Sequence, residues 1–277
     1  MDATGRWQAW GWLLWLGAAV PICAQQGLEL HVAQRAVREW REGERMSLEG
    51  TLRLETAPVL RWGRWQLQPR VRLRYGVQYL QLGEELPSLL LPTDNELRLE
   101  GTLQWRRGWI LDPYVTVGCS TALGRSWRLQ GLRRVETARW GDPLVWWQSL
   151  GVGYGGGGQW EVRCGASLQQ VRVREFVPLT DNPRTPELER VRTEAGGELR
   201  GRWLWRLDSL RLWQGEGEVR KALEPPAPWQ VRLEQRFVQR LWKLLEVGLR
   251  LELAYNRRQS AKLQYVQTLS LGIAYRW

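Results

Sequence analysis

The chain has 277 residues, with forty Lys and Arg against twenty-nine Asp and Glu, a net charge of +11, twenty tryptophans, three cysteines and one histidine. No run of about eighteen uncharged apolar residues follows residue 24, which excludes a membrane-spanning helix in the body of the chain. The cysteines form no CxxC and have no histidine near them, so no metal motif is present. The positive charge is almost all arginine, interleaved with apolar residues at every second position, and not the basic helix or tail of a nucleic-acid binder.

The predicted elements begin with an apolar run over residues 11–22, preceded by Arg6. It is too short to cross a bilayer and has the length of a signal-peptide core, so residues 1–24 are read as a leader with cleavage after Ala24. A buried N-terminal helix is the alternative. A first strand is placed near 27–34. Met46, Leu48, Gly50, Leu52 and Leu54 then alternate with Ser47, Glu49, Thr51, Arg53 and Glu55. Trp65, Leu67, Val71, Leu73, Tyr75 and Val77 alternate with Gln66, Gln68, Arg70, Arg72, Arg74 and Gly76. Leu97 to Trp105 repeats the pattern with Arg98 and Glu100 on the polar side. Less regular strands are placed near 110–122 and 144–155. Trp160 to Leu168 alternates again, with Arg163 on the polar side. Strands near 191–206 and 209–220 follow. Val231 to Phe237 alternates around Arg232 and Arg236, and Leu245 to Tyr255 around Arg250 and Glu252. The last strand, 263–277, sets Leu263, Tyr265, Leu269, Leu271, Ile273, Tyr275 and Trp277 on one face.

A period of two over about ten residues is the signature of a tilted strand that faces lipid on one side and a polar lumen on the other. The joints support the same reading. Short ones at 107–109, 155–158, 207–209 and 240–243 alternate with long ones at 35–44, 80–94, 123–142, 175–190 and 221–228, as periplasmic turns alternate with extracellular loops. The joint at 57–63 is longer than this scheme asks and that at 256–260 shorter. The fold expected is all-β: a single antiparallel transmembrane β-barrel over 25–277, with about twelve strands within a range of ten to fourteen, in the outer membrane of a Gram-negative bacterium. A soluble periplasmic sandwich is the alternative. The Trp load suits membrane–water interfaces.

The end of the chain is similar to the C-terminal signal by which the barrel-assembly machinery recognises its clients, carried here by Leu269, Leu271, Ile273, Tyr275 and Trp277. The chain as a whole resembles a family of outer-membrane barrels filed as domain of unknown function 3078. The shared features are Trp40-Arg41-Glu42-Gly43-Glu44 before the second strand, Thr93-Asp94-Asn95-Glu96-Leu97, Tyr114 to Gly124, and Asp142-Pro143-Leu144 running into Gly151-Val152-Gly153-Tyr154. The ending Leu269-Ser270-Leu271-Gly272-Ile273-Ala274-Tyr275 completes the set. Glu44 stands where the family has a second glycine. The resemblance implies location and fold and supplies no activity.

Candidate chemistry is sparse. His31 stands alone in Leu28-Glu29-Leu30-His31-Val32 and reads as structural; an acid-only site built from Asp181, Glu187 or Glu189 stays open as an alternative, although Thr180-Asp181-Asn182-Pro183 is also what an ordinary turn looks like; the glycines at 155–158 lack the Lys-Ser/Thr and helix of a phosphate loop. No catalytic residue, metal or cofactor is expected, and the chain is read as a non-enzyme. Cys119 and Cys164 fall on outward strand faces and read as isolated thiols, with a disulfide left open. The informative set is the lumen: Arg70, Arg72, Arg74, Arg98, Glu100, Arg163, Arg232, Arg236, Arg250 and Glu252. On this polar face the arginines outnumber the carboxylates. Two readings stand side by side. One is a small channel that favours anions. The other is a non-conducting structural or binding barrel, blocked by Arg–Glu pairs, whose long loops meet a partner. The partners expected are membrane lipid and, during biogenesis, the assembly machinery. Deleting Tyr275-Arg276-Trp277 is expected to leave a periplasmic, protease-sensitive chain; normal outer-membrane levels on fractionation would discount the terminal signal.

Overall fold

The computed structural model describes residues 25–38, 45–80, 89–106, 108, 110–130, 133–156, 159–176, 180, 189–223, 229–256 and 262–276. The expected leader, Trp277, Asp181 and Glu187 lie outside these residues. Fifteen strands are present: β1 Gln25–Arg38, β2 Arg45–Ala57, β3 Leu60–Trp62, β4 Trp65–Leu80, β5 Leu89–Trp105, β6 Asp112–Thr121, β7 Ser126–Gln130, β8 Arg133–Ala138, β9 Leu144–Gly156, β10 Trp160–Arg172, β11 Val191–Arg206, β12 Arg211–Ala222, β13 Trp229–Arg240, β14 Leu245–Asn256 and β15 Gln264–Arg276. Twelve of them close into one antiparallel barrel. The circuit runs β1, β15, β14, β13, β12, β11, β10, β9, β6, β5, β4, β2 and returns to β1. The ring has no free edge, so every barrel strand has a backbone partner on both sides, as a bilayer demands.

Pleating then sorts the side chains. On β15, Tyr265, Leu269, Leu271, Ile273 and Tyr275 are exposed, while Gln264, Val266, Gly272 and Ala274 are buried. On β1, Leu28, Leu30 and Val32 are exposed and Glu29, His31 and Ala33 are buried. The same inversion repeats on β4, where Arg72 and Arg74 are buried and Tyr75 and Tyr79 exposed, and on β10, where Arg163 is buried and Val162 and Leu168 exposed. A wall with apolar side chains outside and buried charge inside is unstable in water and matched to a bilayer. The protein is a transmembrane β-barrel of the Gram-negative outer-membrane type.

Three details differ from the sequence reading. The long joint at 57–63 is a small hairpin: β3 pairs with the start of β4 through Gly63 at φ 59, setting Trp62 opposite Trp65. The loop at 123–142 folds into the β7–β8 ribbon, whose strands are too short and too arginine-rich to show an apolar alternation. And β5 starts at Leu89, well before residue 97, because Pro92-Thr93-Asp94-Asn95 reads as a turn but lies in the strand, opposite a register shift between Tyr75 and Val77. Asn95 is held there: its Oδ1 accepts from Leu123 N at 2.8 Å and Gly124 N at 3.0 Å, and its Nδ2 donates to Gly124 O at 2.8 Å and Ser126 Oγ at 2.7 Å.

Among the described residues one strand tryptophan points inward. Trp147 on β9 is 3% exposed, its indole lies across Gly118 of the neighbouring β6, and the Arg98 guanidinium stacks 4.5 Å from the ring centre. A Cβ at Gly118 would overlap the indole. Gly118→Val is therefore expected to cost about 1–3 kcal/mol through overpacking, measured by urea unfolding in detergent. Unchanged stability would show that Trp147 does not pack there.

Candidate functional site: the charged lumen

Every arginine and glutamate singled out for the lumen lies on the inward register of its strand. Alternation brings a guanidinium or carboxylate inward at every second residue, and neighbouring strands in register stack them in rows. Arg70 Nη2 lies 2.6 Å from Glu55 Oε1, Arg74 Nη2 2.8 Å from Glu234 Oε1, and Arg98 Nη2 3.1 Å from Glu100 Oε2. Arg163 Nη2 lies 2.8 Å from Glu161 Oε2; Arg232 Nη2 and Arg250 Nη2 hold the two oxygens of Glu252 at 2.7 and 2.8 Å. Arg250 also reaches Glu234 at 3.1 Å and Asp94 at 3.4 Å.

Several of these bonds cross the barrel. Around the circuit of twelve, β12 is the sixth strand from β4 in either direction, so the two stand on opposite walls. Arg70 Nη1 and Arg72 Nη2 on β4 nevertheless donate to Glu216 Oε2 on β12 at 3.0 and 2.9 Å. Arg74 on β4 reaches Glu234 on β13, and Arg200 on β11 reaches Glu100 on β5 at 3.0 Å. Arg163 on β10 donates to Thr102 of β5 at 2.9 Å and to Gln68 of β4 at 3.2 Å. Direct contact between opposite walls means that side chains fill the cross-section at this level.

The sequence reading places Glu49, Glu55, Glu161, Glu198, Glu234 and Glu246 inside with Glu100 and Glu252, but misses five further carboxylates. Glu29, Asp94, Glu96, Glu216 and Glu218 also face inward, and with them the carboxylates match the inward guanidiniums almost one for one. Glu216 and Glu218 were hidden because β12, Arg211–Ala222, is glycine-rich on its outer face, so no apolar alternation marks its inner one. The arginine surplus inferred for the lumen therefore disappears among the described residues. The excess positive charge sits elsewhere, on turns and rims.

Towards the short-turn end, His31 joins a second cluster. Arg236 donates to Glu29 at 2.8 Å and to Glu246 at 2.8 Å, and its Nη2 lies 3.3 Å from His31 Nε2. His31, Glu29 and Glu246 have donor atoms within 4.8 Å of one another, close enough to surround a metal ion. The Arg236 guanidinium bonds both carboxylates, so a cation already holds the centre of this set. Gly272 on β15 leaves room for the imidazole, which a Cβ would strike. Cys119 and Cys164 are both free thiols.

At the opposite end, long loops are tied to each other. The Asp142 carboxylate, 2% exposed, accepts from Arg174 N at 3.0 Å and Glu175 N at 2.8 Å, joining the β8–β9 connection to the segment after β10. Arg139 bridges Glu136 at 3.1 Å and Glu175, and stacks 5.7 Å from the Phe176 ring centre. The Thr180 hydroxyl donates to Glu189 O at 2.5 Å.

No family model and no curated protein matches the chain, and the resemblance to the family filed as domain of unknown function 3078 rests on its motifs alone. Among solved structures the chain is similar to an outer membrane channel from Pseudomonas putida F1, with 13% identity over 93% of this chain and 97% of that one at a TM-score of 0.45. It is also similar to the translocator domain of the autotransporter NalP from Neisseria meningitidis, with 10% identity over 98% and 94% at 0.41. A third is an anion-selective porin from Comamonas acidovorans, with 8% identity over 92% and 100% at 0.42.

Proposed function

We propose that this chain is an outer-membrane barrel whose lumen is sealed by its own side chains, and whose working surface is the tied loop end. It acts as a non-conducting, non-enzymatic barrel that binds or supports a partner outside the cell. The observation that carries this reading is the pair of bonds from Arg70 and Arg72 to Glu216 on the opposite wall. An open pore needs a continuous file of water, and bonded groups across the diameter interrupt it. The loops support the second half of the reading. Asn95 and Asp142 fix the β7–β8 ribbon and the segment after β10 on a rigid wall, the usual arrangement for binding loops.

The channel reading keeps one observation of its own. A small polar void of about 10 Å³, room for roughly one water, lies beside the seal, lined by Glu100, Glu161, Arg163, Arg200, Arg202 and Glu216. The nearest carboxylate to Arg202 is Glu161, at 3.8 Å. If Glu216 releases Arg70 and Arg72, this void becomes the start of a narrow polar passage.

Planar-bilayer recording separates the two. Folded protein is expected to give no steady conductance, and the triple variant Arg70→Ala, Arg72→Ala, Glu216→Ala is expected to give one. A stable anion-preferring conductance from the unaltered protein, lowered by Arg70→Gln, Arg72→Gln and Arg74→Gln, would establish the channel instead.

A further inference from the structure

The lumen accounts for little of the net charge of +11, because its guanidiniums are matched by carboxylates. Part of the excess lies at the end of the barrel that carries the short turns. Arg61, Arg64, Arg106, Arg206 and Lys243 are all exposed there, on four different turns. The exposed acid among them, Asp208, is already spoken for. It accepts from Leu210 N at 2.8 Å and Arg211 N at 2.7 Å, and binds Arg211 Nε at 2.6 Å. These bonds hold its carboxyl below the usual range, the backbone N–H of Leu210 first, so it is ionised and cancelled by Arg211. Among the described residues exposed at these turns the charge left over is positive, and Asp112 at the start of β6 is part-buried.

The same turns carry large apolar side chains at their tips. Ile110 is 79% exposed, Trp242 75%, Leu207 55%, Leu210 54% and Trp62 49%. A turn standing in water has no use for them. A turn seated in the headgroup layer does: the tips enter the acyl boundary while the flanking cations stay level with the phosphates. Tryptophan is the residue best suited to that depth, and Trp62 and Trp242 occupy two of the tips.

We propose that this rim is a collar that binds anionic phospholipid headgroups of the inner, periplasmic leaflet. The inference rests on the assignment of the chain as an outer-membrane barrel, with short turns and both described chain ends on the periplasmic side. The occupant follows from charge complementarity. A zwitterionic headgroup offers a phosphate already paired with an amine, whereas a phosphatidylglycerol-type headgroup offers an unpaired negative charge to a row of guanidiniums. The apolar tips supply depth and the cations supply selection, so the collar fixes the height of the barrel in the bilayer and gathers anionic lipid around it.

The test uses the whole barrel in vesicles of phosphatidylcholine with a fifth phosphatidylglycerol, and measures the relative association of spin-labelled phosphatidylglycerol and phosphatidylcholine. About a threefold preference for the anionic lipid is expected at low salt. It should fall to near one in the variant Arg61→Gln, Arg64→Gln, Arg106→Gln, Lys243→Gln, and persist in Arg172→Gln, Arg174→Gln at the other rim. Equal association in the unaltered barrel, or a preference that survives the collar substitutions, would overturn the proposal. So would a Trp242 that stays open to an aqueous quencher once the barrel is in vesicles, read as the difference in quenching between the unaltered barrel and Trp242→Phe, the result expected if the rim instead docks a soluble partner. A chain that fails to insert and to show the heat-shifted gel mobility of a barrel would count against the membrane assignment itself, an outcome distinct from insertion without lipid preference.

Discussion

The bond between opposite walls is the constraint on which the rest of the structure depends. Twelve tilted strands enclose a space that charged side chains can just cross, and here Arg70 and Arg72 meet Glu216 across it. Buried charge is costly unless every ion finds partners of the opposite sign with good geometry. That requirement explains why inward guanidiniums and carboxylates alternate from strand to strand, and why single glutamates such as Glu55, Glu234 and Glu252 each serve more than one arginine. The outside answers to a separate demand, since lipid accepts only the apolar register. One period-two sequence satisfies both solvents at once.

This division also explains where the net charge goes. Inside, a surplus of either sign would repel itself at close range, so the count is balanced. On the rims, arginine meets water and headgroups, and balance is not required. The short turns and the long-loop ends of β10 and β12 carry what the lumen cannot hold; Lys221 at the end of β12 stacks 5.0 Å from the Trp229 ring centre. A charge-matched lumen and charged rims are two consequences of one constraint.

Most of the fold was legible because membrane strands write their two faces directly into the sequence. Where the outer face is strongly apolar, as in Leu245–Asn256 or Gln264–Arg276, the strand and its orientation were read closely. Where the outer face is small, as in the glycines of Arg211–Ala222, the strand was placed but its inward glutamates were not recognised. That omission, together with those of Glu29, Asp94 and Glu96 on β1 and β5, produced the apparent arginine surplus. Short elements outside the barrel, β3 and the β7–β8 ribbon, follow local turn geometry and not the bilayer, so they leave no period-two signal long enough to see. Which arginine reaches which glutamate across the lumen depends on shear and tilt, which alternation along one strand does not encode. The cluster of His31, Glu29, Arg236 and Glu246 joins three strands in this way.

The most direct test of the transverse seal is a double-mutant cycle between Arg72 and Glu216, using Arg72→Ala, Glu216→Ala and the double variant, with unfolding followed in urea and detergent. The account predicts a coupling of about 2 kcal/mol, because each single variant already breaks the Arg72–Glu216 bond, leaving Glu216 with Arg70 alone or Arg72 with Glu55 alone, and the double variant breaks it only once. A coupling near zero would mean that the two walls do not meet, and would contradict the sealed barrel.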